Sequence, residues 1–454
     1  MFVIGVMILV HEWGHFIAAK RLGIEVEVFS IGFGPKLFSW KRGETEYRIC
    51  LLPVGGYVKM LAENPDEGTT GDPREFLSRA RWERFIVLVM GAVFNILLAF
   101  LIWTAVLMIG EPKEKWLTEP ARAVYIAPGG PADRAGVREG DVVAAFNGQP
   151  MADWEELLYA VATHPREEVE IRVLRGSGEL SFRMRPYEDE SSGIGSIGIG
   201  PGYPAVIAGV QEGMPAAEAG LRDGDVVEAI NGLPVSSYYD IFDEVTRRTR
   251  LGHAMGVWRD ASPLAAPLER LLDVAHTLEF TVRREGISFD VALSPEFDPE
   301  AGFRRIGIVR PPMEQVAVGV GPLEAVGGAL ERCLTTSGRL FDILARMITG
   351  RLSTRAVSGP VEIAAISGRT AEQGVMPFLN LIAFISLNLG IINLLPLPVL
   401  DGGGILILVI EGTARRDLSL KAKEWIMRVG VVLLLLLMAL VIYQDIDKLI
   451  MRMG

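Results

Sequence analysis

The sequence predicts a polytopic α-helical membrane protein of about four transmembrane helices, with a membrane-associated β-hairpin region and two inserted α+β domains. Three observations carry this expectation. Half of the 454 residues are hydrophobic and mean hydropathy is +0.30, high for a water-soluble chain of this length. Four stretches, 2–22, 85–109, 375–400 and 426–443, are apolar over nearly the ~20 residues that a bilayer requires. Between the second and third, residues 119–300 hold 31 acidic and 16 basic side chains, a charge of −15 against −11 for the whole chain. Such an acidic region suits domains in water and gives nucleic acid nothing to bind. Cys50 and Cys333 are the only cysteines and read as free thiols, so no disulfide framework is expected.

The first span carries His11-Glu12-Trp13-Gly14-His15. Two imidazoles four residues apart lie on one helix face and can hold one Zn²⁺ between them, with the Glu12 carboxylate placed to act as base. Imidazoles are costly in an apolar helix without a task. The five letters alone also fit a chance match on a buried helix, so a partner elsewhere must decide. The stretch lacks a basic n-region and a small-residue cleavage site and is expected to be retained as a span. Its apolar part before His11 is short, which fits either a thin span or a native chain that starts upstream of Met1.

Residues 23–62 alternate as strands do, in Glu25-Val26-Glu27-Val28-Phe29 and again from Lys36 to Trp40, with a turn at Arg42-Gly43-Glu44. Gly32, Gly34-Pro35, Pro53 and Gly55-Gly56 punctuate this hairpin as bends and bulges. It is a small sheet whose edge could also seize an extended segment by strand addition. A polar loop, 64–73, leads into the second span, 83–110, which has Asn95 near its middle. An amide inside hydrocarbon needs a partner, on a neighbouring helix or near the metal site.

The acidic region repeats itself. Gly130-Pro131-Ala132, Ala135-Gly136-Val137, Gly140-Asp141-Val142-Val143 and Asn147-Gly148 recur, each shifted by 84 residues, as Met214-Pro215-Ala216, Ala219-Gly220-Leu221, Gly224-Asp225-Val226-Val227 and Asn231-Gly232. A fixed period means two copies of one unit. The ordered pattern looks like the PDZ fold, with copies at 119–189 and 197–296. PDZ domains bind chain ends or extended segments, or serve as scaffolding. Residues 249–275 interrupt the second copy and suggest no function. The stretch 320–350 places apolar residues at helical spacing among Arg and Glu, as an amphipathic helix on the outer membrane surface or against the bundle would.

The third span, 374–402, contains Asn388 and Asn393 and then unwinds through Leu394-Leu395-Pro396-Leu397-Pro398-Val399-Leu400-Asp401-Gly402-Gly403. Broken helices at membrane depth line cavities. Asp401 is the only acidic residue between Glu372 and Glu411, which makes it the candidate third metal ligand. The fourth span covers 425–444. Lys20 and Arg21, then Arg79, Arg81 and Arg84, then Arg415, Arg416, Lys421, Lys423 and Arg428 all flank span ends on one side. The positive-inside rule makes that side cytoplasmic, with both termini and the acidic region opposite, in the periplasm of a bacterium. His11 and Asp401 then lie toward the same membrane face.

HEWGH in the first span, FGPKLF and GGYVKM in the strand region, the tandem repeat, SGPVEIA from Ser358 and NLLPLPVLDGG from Asn393 together resemble the site-2 protease family, in order and over essentially the whole chain. The likeness is strongest to the bacterial branch that acts on anti-sigma factors. It implies an intramembrane zinc metalloprotease of the inner membrane, cutting single-pass membrane proteins such as an anti-sigma factor after periplasmic trimming, in regulated intramembrane proteolysis during stress. It also implies that the PDZ tandem filters substrates by size. Matched residue by residue, His11, His15 and Asp401 would be the zinc ligands, Glu12 the catalytic base, and Asn393 and Asn95 substrate-binding residues. Gly91-Ala92 stands where the family often has Gly-Pro, Gly404 where it often has His, and the first span starts later than usual. Two rival readings remain: a catalytically inactive membrane scaffold that binds proteins through its PDZ domains, and a metal transporter.

Overall fold

A computed structural model describes residues 2–63, 68–189, 192–242, 244–246, 277–298, 303–311, 314–317 and 319–453. The stretch 249–275, which interrupts the repeat, lies outside the described residues. The chain divides into two compact units, one of Met1–Pro112, Ala317–Ala345 and Val357–Asp445, the other of Lys113–Val316, Arg346–Ala356 and Ile446–Gly454. Helices of the described residues include α1 (Phe2–Arg21), α2 (Arg81–Ile109), α3 (Pro131–Ala135), α4 (Trp154–Ala162), α5 (Pro215–Glu218), α6 (Pro322–Ile348), α7 (Pro360–Glu372), α8 (Val375–Asn393), α9 (Asp401–Ala414) and α10 (Leu420–Met453). Among the described residues, α2, α8 and the Lys421–Asp447 part of α10 are long and apolar enough to cross a membrane. The protein is a membrane protein with a β-rich part.

In the first unit, α1 and α2 approach closely because glycines face each other's backbone and rings. A Cβ on Gly14 would lie 2.3 Å from the Met90 carbonyl oxygen. A small residue at the crossing is the usual device for close helix packing in lipid. Farther along α2, Ala99 and Trp103 share a core with Ala329 and Cys333 of α6 and Ala383, Leu387 and Ile391 of α8. The amphipathic helix thus lies against the bundle through its small residues, while Leu323, Leu330 and Leu334 stay exposed.

The strand region is more folded than a plain hairpin. In β1 (Val26–Arg42) and β2 (Thr45–Met60), residues 28–31 pair with 46–49 on one side and with 56–59 on the other, and 36–42 return along 45–50. Two long strands therefore make a sheet of four pairing segments. The bends occur at Gly32 and Gly34, both with φ near +88°, and at Gly55, and Gly32 and Gly56 leave room for the Leu52 and Ser30 carbonyls.

Two boundaries differ from the sequence expectation. The third span, predicted to run to residue 402, ends its helix at Asn393, and Asp401 begins a separate helix, α9. Gly402 and Gly403 would be weak helix formers by propensity, at about 1 kcal/mol each. Here they are required, because a Cβ on either would lie 2.1–2.3 Å from the Leu395 and Leu397 carbonyl oxygens of the preceding turn. Helix α7 was likewise not expected. Its N-terminus is held by Asp445 of α10, whose carboxylate accepts the N–H groups of Gly359, Val361 and Glu362 at 2.9–3.2 Å.

The second unit contains the repeat as two sheets of the same strand order. The first is β4-β3-β5-β6, from β3 (Val142–Phe146), β4 (Gln149–Pro150), β5 (Val169–Arg175) and β6 (Gly178–Met184). The second is β8-β7-β9-β10, from β7 (Val226–Ile230), β8 (Leu233–Pro234), β9 (Leu278–Arg284) and β10 (Ile287–Leu293). Both carry a register shift at the same place, between Val143 and Ala145 and between Val227 and Ala229. The Gly-Asp of each copy has a partner that the sequence pattern did not reveal: Asp141 receives Arg175 and Asp225 receives Arg284, each through two hydrogen bonds of 2.7–2.8 Å.

Candidate metal centre

His11 and His15 project from one face of α1 and both are 7% exposed. Gly91 on α2 makes their space: a Cβ there would lie 2.4 Å from His15 Nε2 and 2.8 Å from His11 Cε1. The tight turn that ends in Gly402-Gly403 presents Asp401, the first residue of α9, to the same point. His11 Nε2 lies 3.1 Å from His15 Nε2 and 3.0 Å from Asp401 Oδ2, and His15 Nε2 lies 3.4 Å from the same oxygen. The three sequence candidates for ligands meet, from opposite ends of the chain.

Glu12 is half-buried, and its Oε2 accepts the Val58 backbone N–H at 3.0 Å, which ties it to the outer segment of the curled sheet. Asn95 and Asn393 both arrive at His11. The side-chain nitrogen of Asn95 lies 3.4 Å from His11 Nδ1, and that of Asn393 lies 3.4 Å from both ring nitrogens. Asn95 is fully buried, whereas Asn393 keeps some exposure. Sequence reasoning missed Gly91, Val58 and the Val87 carbonyl, which accepts the His15 Nδ1–H at 2.8 Å. Of these only Gly91 left a signal, as a glycine in the apolar second span four residues before Asn95.

The profile of peptidase family M50 matches residues 1–437. The chain belongs to peptidase family M50. It is 33% identical over 470 residues to the regulator of sigma-E protease RseP of Escherichia coli strain K12, an alignment that covers 98% of this chain and 97% of that protein. It is 31% identical over 461 residues to the regulator of sigma E protease of Salmonella typhi, with the same coverage. An inferred zinc metalloprotease of Vibrio cholerae serotype O1 is 30% identical over 466 residues, again over 98% and 97% of the two chains. This M50 protein is accordingly a zinc metalloendopeptidase of the site-2 type.

The M50 donor set fits zinc on its own geometry. His15 donates its Nδ1 proton to Val87, so in the neutral ring Nε2 carries a lone pair toward the centre. Asp401 Oδ2 is buried without a hydrogen-bond partner, 3.0 Å from His11 Nε2. Ligand atoms of all three side chains lie within 4.8 Å of one another. Two imidazole nitrogens and one carboxylate oxygen would supply three ligands, the number that catalytic zinc takes from protein.

Proposed function

We propose that this M50 protease hydrolyses peptide bonds within the transmembrane segments of single-pass membrane proteins, with His11, His15 and Asp401 holding the zinc and Glu12 as catalytic base. The observation that carries the proposal is the convergence of the three ligand atoms within 3.0–3.4 Å of one another, beside the turn of α1 that carries Glu12. Zinc bound there supplies a Lewis acid that polarises the scissile carbonyl and lowers the pKa of water to about 7. Glu12 takes the proton of the attacking water and delivers it to the leaving amine. The Val58 N–H keeps that carboxylate oriented. Asn393, half-exposed beside His11, is placed to hold the substrate backbone.

A transmembrane helix shields its own peptide bonds, so the substrate must unwind before cleavage. Pairing against the 56–60 segment of β2 offsets that cost, and the segment already reaches Glu12 through Val58. The full-length likeness to regulators of sigma-E proteases supports an anti-sigma-factor-like substrate in a bacterial inner membrane, cut in a stress response after periplasmic trimming. The two copies of the repeat are then periplasmic PDZ domains that screen substrates by size, with the metal centre toward the cytoplasmic side.

The test uses two variants with a model single-pass substrate and zinc analysis. Glu12→Gln should keep full zinc and lose cleavage, because the amide keeps the shape and cannot accept a proton. Asp401→Ala should lose both. Near-wild-type turnover in the first would remove the assigned base, and full zinc in the second would place the third ligand elsewhere.

A further inference from the structure

We infer that Asn95 is a positioning residue of the metal centre: its side-chain oxygen accepts the Nδ1 proton of His11, which leaves His11 Nε2 bare for the ion. This rests on the zinc-ligand reading above and deepens it. A neutral imidazole has one protonated and one bare nitrogen, so a ring that ligates through Nε2 must carry its proton on Nδ1. Nε2 of His11 is the nitrogen that faces His15 and Asp401. His15 meets the requirement by donating Nδ1–H to the Val87 carbonyl at 2.8 Å. His11 is equally buried, and the side chains at its Nδ1 are the amides of Asn95 and Asn393, each at 3.4 Å.

Of the two, Asn95 is suited to be the permanent acceptor. It has no exposed surface, so an incoming peptide cannot reach it. Its backbone is pinned as well: the Asn95 carbonyl accepts the Oγ–H of buried Ser386 at 2.9 Å, and α8 presses on it at Gly390, where a Cβ would lie 3.3 Å from the Asn95 Cβ. The side-chain oxygen of Asn95 is buried without a hydrogen bond while its nitrogen points at Nδ1. A half-turn of the amide exchanges the two ends. With the oxygen toward His11, an N–H faces an acceptor; with the nitrogen toward it, the metal-binding tautomer would set two donors against each other. Asn393 lies equally far from both ring nitrogens and remains partly exposed, which suits a group that turns to substrate.

The experiment measures zinc affinity of the full-length enzyme by competition with a chelator, and then cleavage kinetics at saturating zinc. Asn95→Leu keeps the size and removes the acceptor, and Asn95→Ala repeats the test should leucine not fold. Either should weaken zinc binding by roughly 10–100-fold, the usual effect of losing a group that orients a ligand. KM at saturating zinc should stay near wild type. Asn95→Asp keeps an acceptor oxygen and should restore zinc affinity to within a few-fold. Unchanged zinc affinity with a raised KM in the apolar variants would overturn the inference in favour of substrate binding. Failure of Asn95→Asp to rescue would reduce Asn95 to packing. The ligand reading is tested separately by His11→Ala: if that enzyme kept wild-type zinc affinity, the ligand set itself would fall.

Discussion

Gly91 has no side chain, and the His15 imidazole occupies the space that one would fill. Gly91→Ala would bring a Cβ to 2.4 Å from His15 Nε2 and 2.8 Å from His11 Cε1, so both rings must move off the common point. A loss of zinc affinity of at least ~10-fold is expected, measured by chelator competition. A second residue-scale prediction concerns the carboxylates of the repeat. The hydrogen bonds from Arg175 hold the Asp141 carboxyl below its usual range. In the second copy burial pushes Asp225 up most strongly, but the Arg284 guanidinium and the Arg222 N–H, with the charges of both arginines, together outweigh it and the carboxyl is again held low. A depressed folded pKa stabilises the fold at pH above the unfolded value, about 3.9, and that contribution is lost as pH falls through the folded value. Hydrogen exchange along β3 and β7, corrected for intrinsic rates, should therefore keep its protection at neutral pH and lose it only well into the acid range. Arg175→Met should reverse the trend in β3, because an unpaired buried carboxylate favours the protonated form. An unchanged pH profile in that variant would show that the pair does not govern stability there.

At the scale of elements, α9 joins the proposed zinc site to a buried charge cluster at its far end. Asp401 opens the helix, and Glu411, with no exposed surface, accepts Lys423 Nζ at 2.7 Å and the Leu418 N–H at 2.9 Å, with Arg84 Nη2 3.9 Å away. These contacts hold α9 against α2 and the start of α10. Removing the carboxylate strands two largely buried cations, a loss of about 3–5 kcal/mol. Glu411→Ala should lower the thermal midpoint by roughly 10 °C, while Lys423→Met with Glu411→Leu together should recover much of it. Thermal unfolding in detergent measures both. An alanine variant as stable as the parent would mean that the cluster is open to water. Helix α9 is hard to read from sequence, since it opens with three consecutive glycines after Asp401. Its stability comes from packing that only glycine permits, and propensity is a weak prior against that.

For the whole molecule, the proposed ligands His11, His15 and Asp401 all belong to the first unit, and the two sheets of the repeat belong wholly to the second. Deleting residues 121–295 should consequently leave zinc content unchanged. If the two copies are PDZ domains that exclude bulky substrates, the shortened enzyme should also cut a membrane substrate that still carries its folded outer domain. Both enzymes should cut the trimmed version. The discrimination is then a clash, not a gain in affinity. Cleavage of long and short versions of one substrate by both enzymes measures this, and continued rejection of the long version by a folded deletion enzyme would place the filter elsewhere, most simply in α6.

By itself the sequence determined whatever depends on neighbours in the chain. The four-residue spacing in HEWGH puts both imidazoles on one face of α1, three of the four apolar runs give helices long and apolar enough to span a bilayer among the described residues, and the 84-residue repeat returns as two sheets of one strand order. Asp401 stood out too, as an isolated carboxylate in an apolar stretch, and as such is a proposed ligand. Only the tertiary structure decided how these pieces meet. It paired Asp141 with Arg175, curled the hairpin into four pairing segments, and broke the third span at Asn393. It also placed Asn95 against His11 instead of merely somewhere within a span. The physical reason is that a lone pair, a buried amide or a missing Cβ has no meaning until a second segment arrives beside it. Spacing along the chain can say which face a residue occupies, but what that face meets is set by packing between segments hundreds of residues apart.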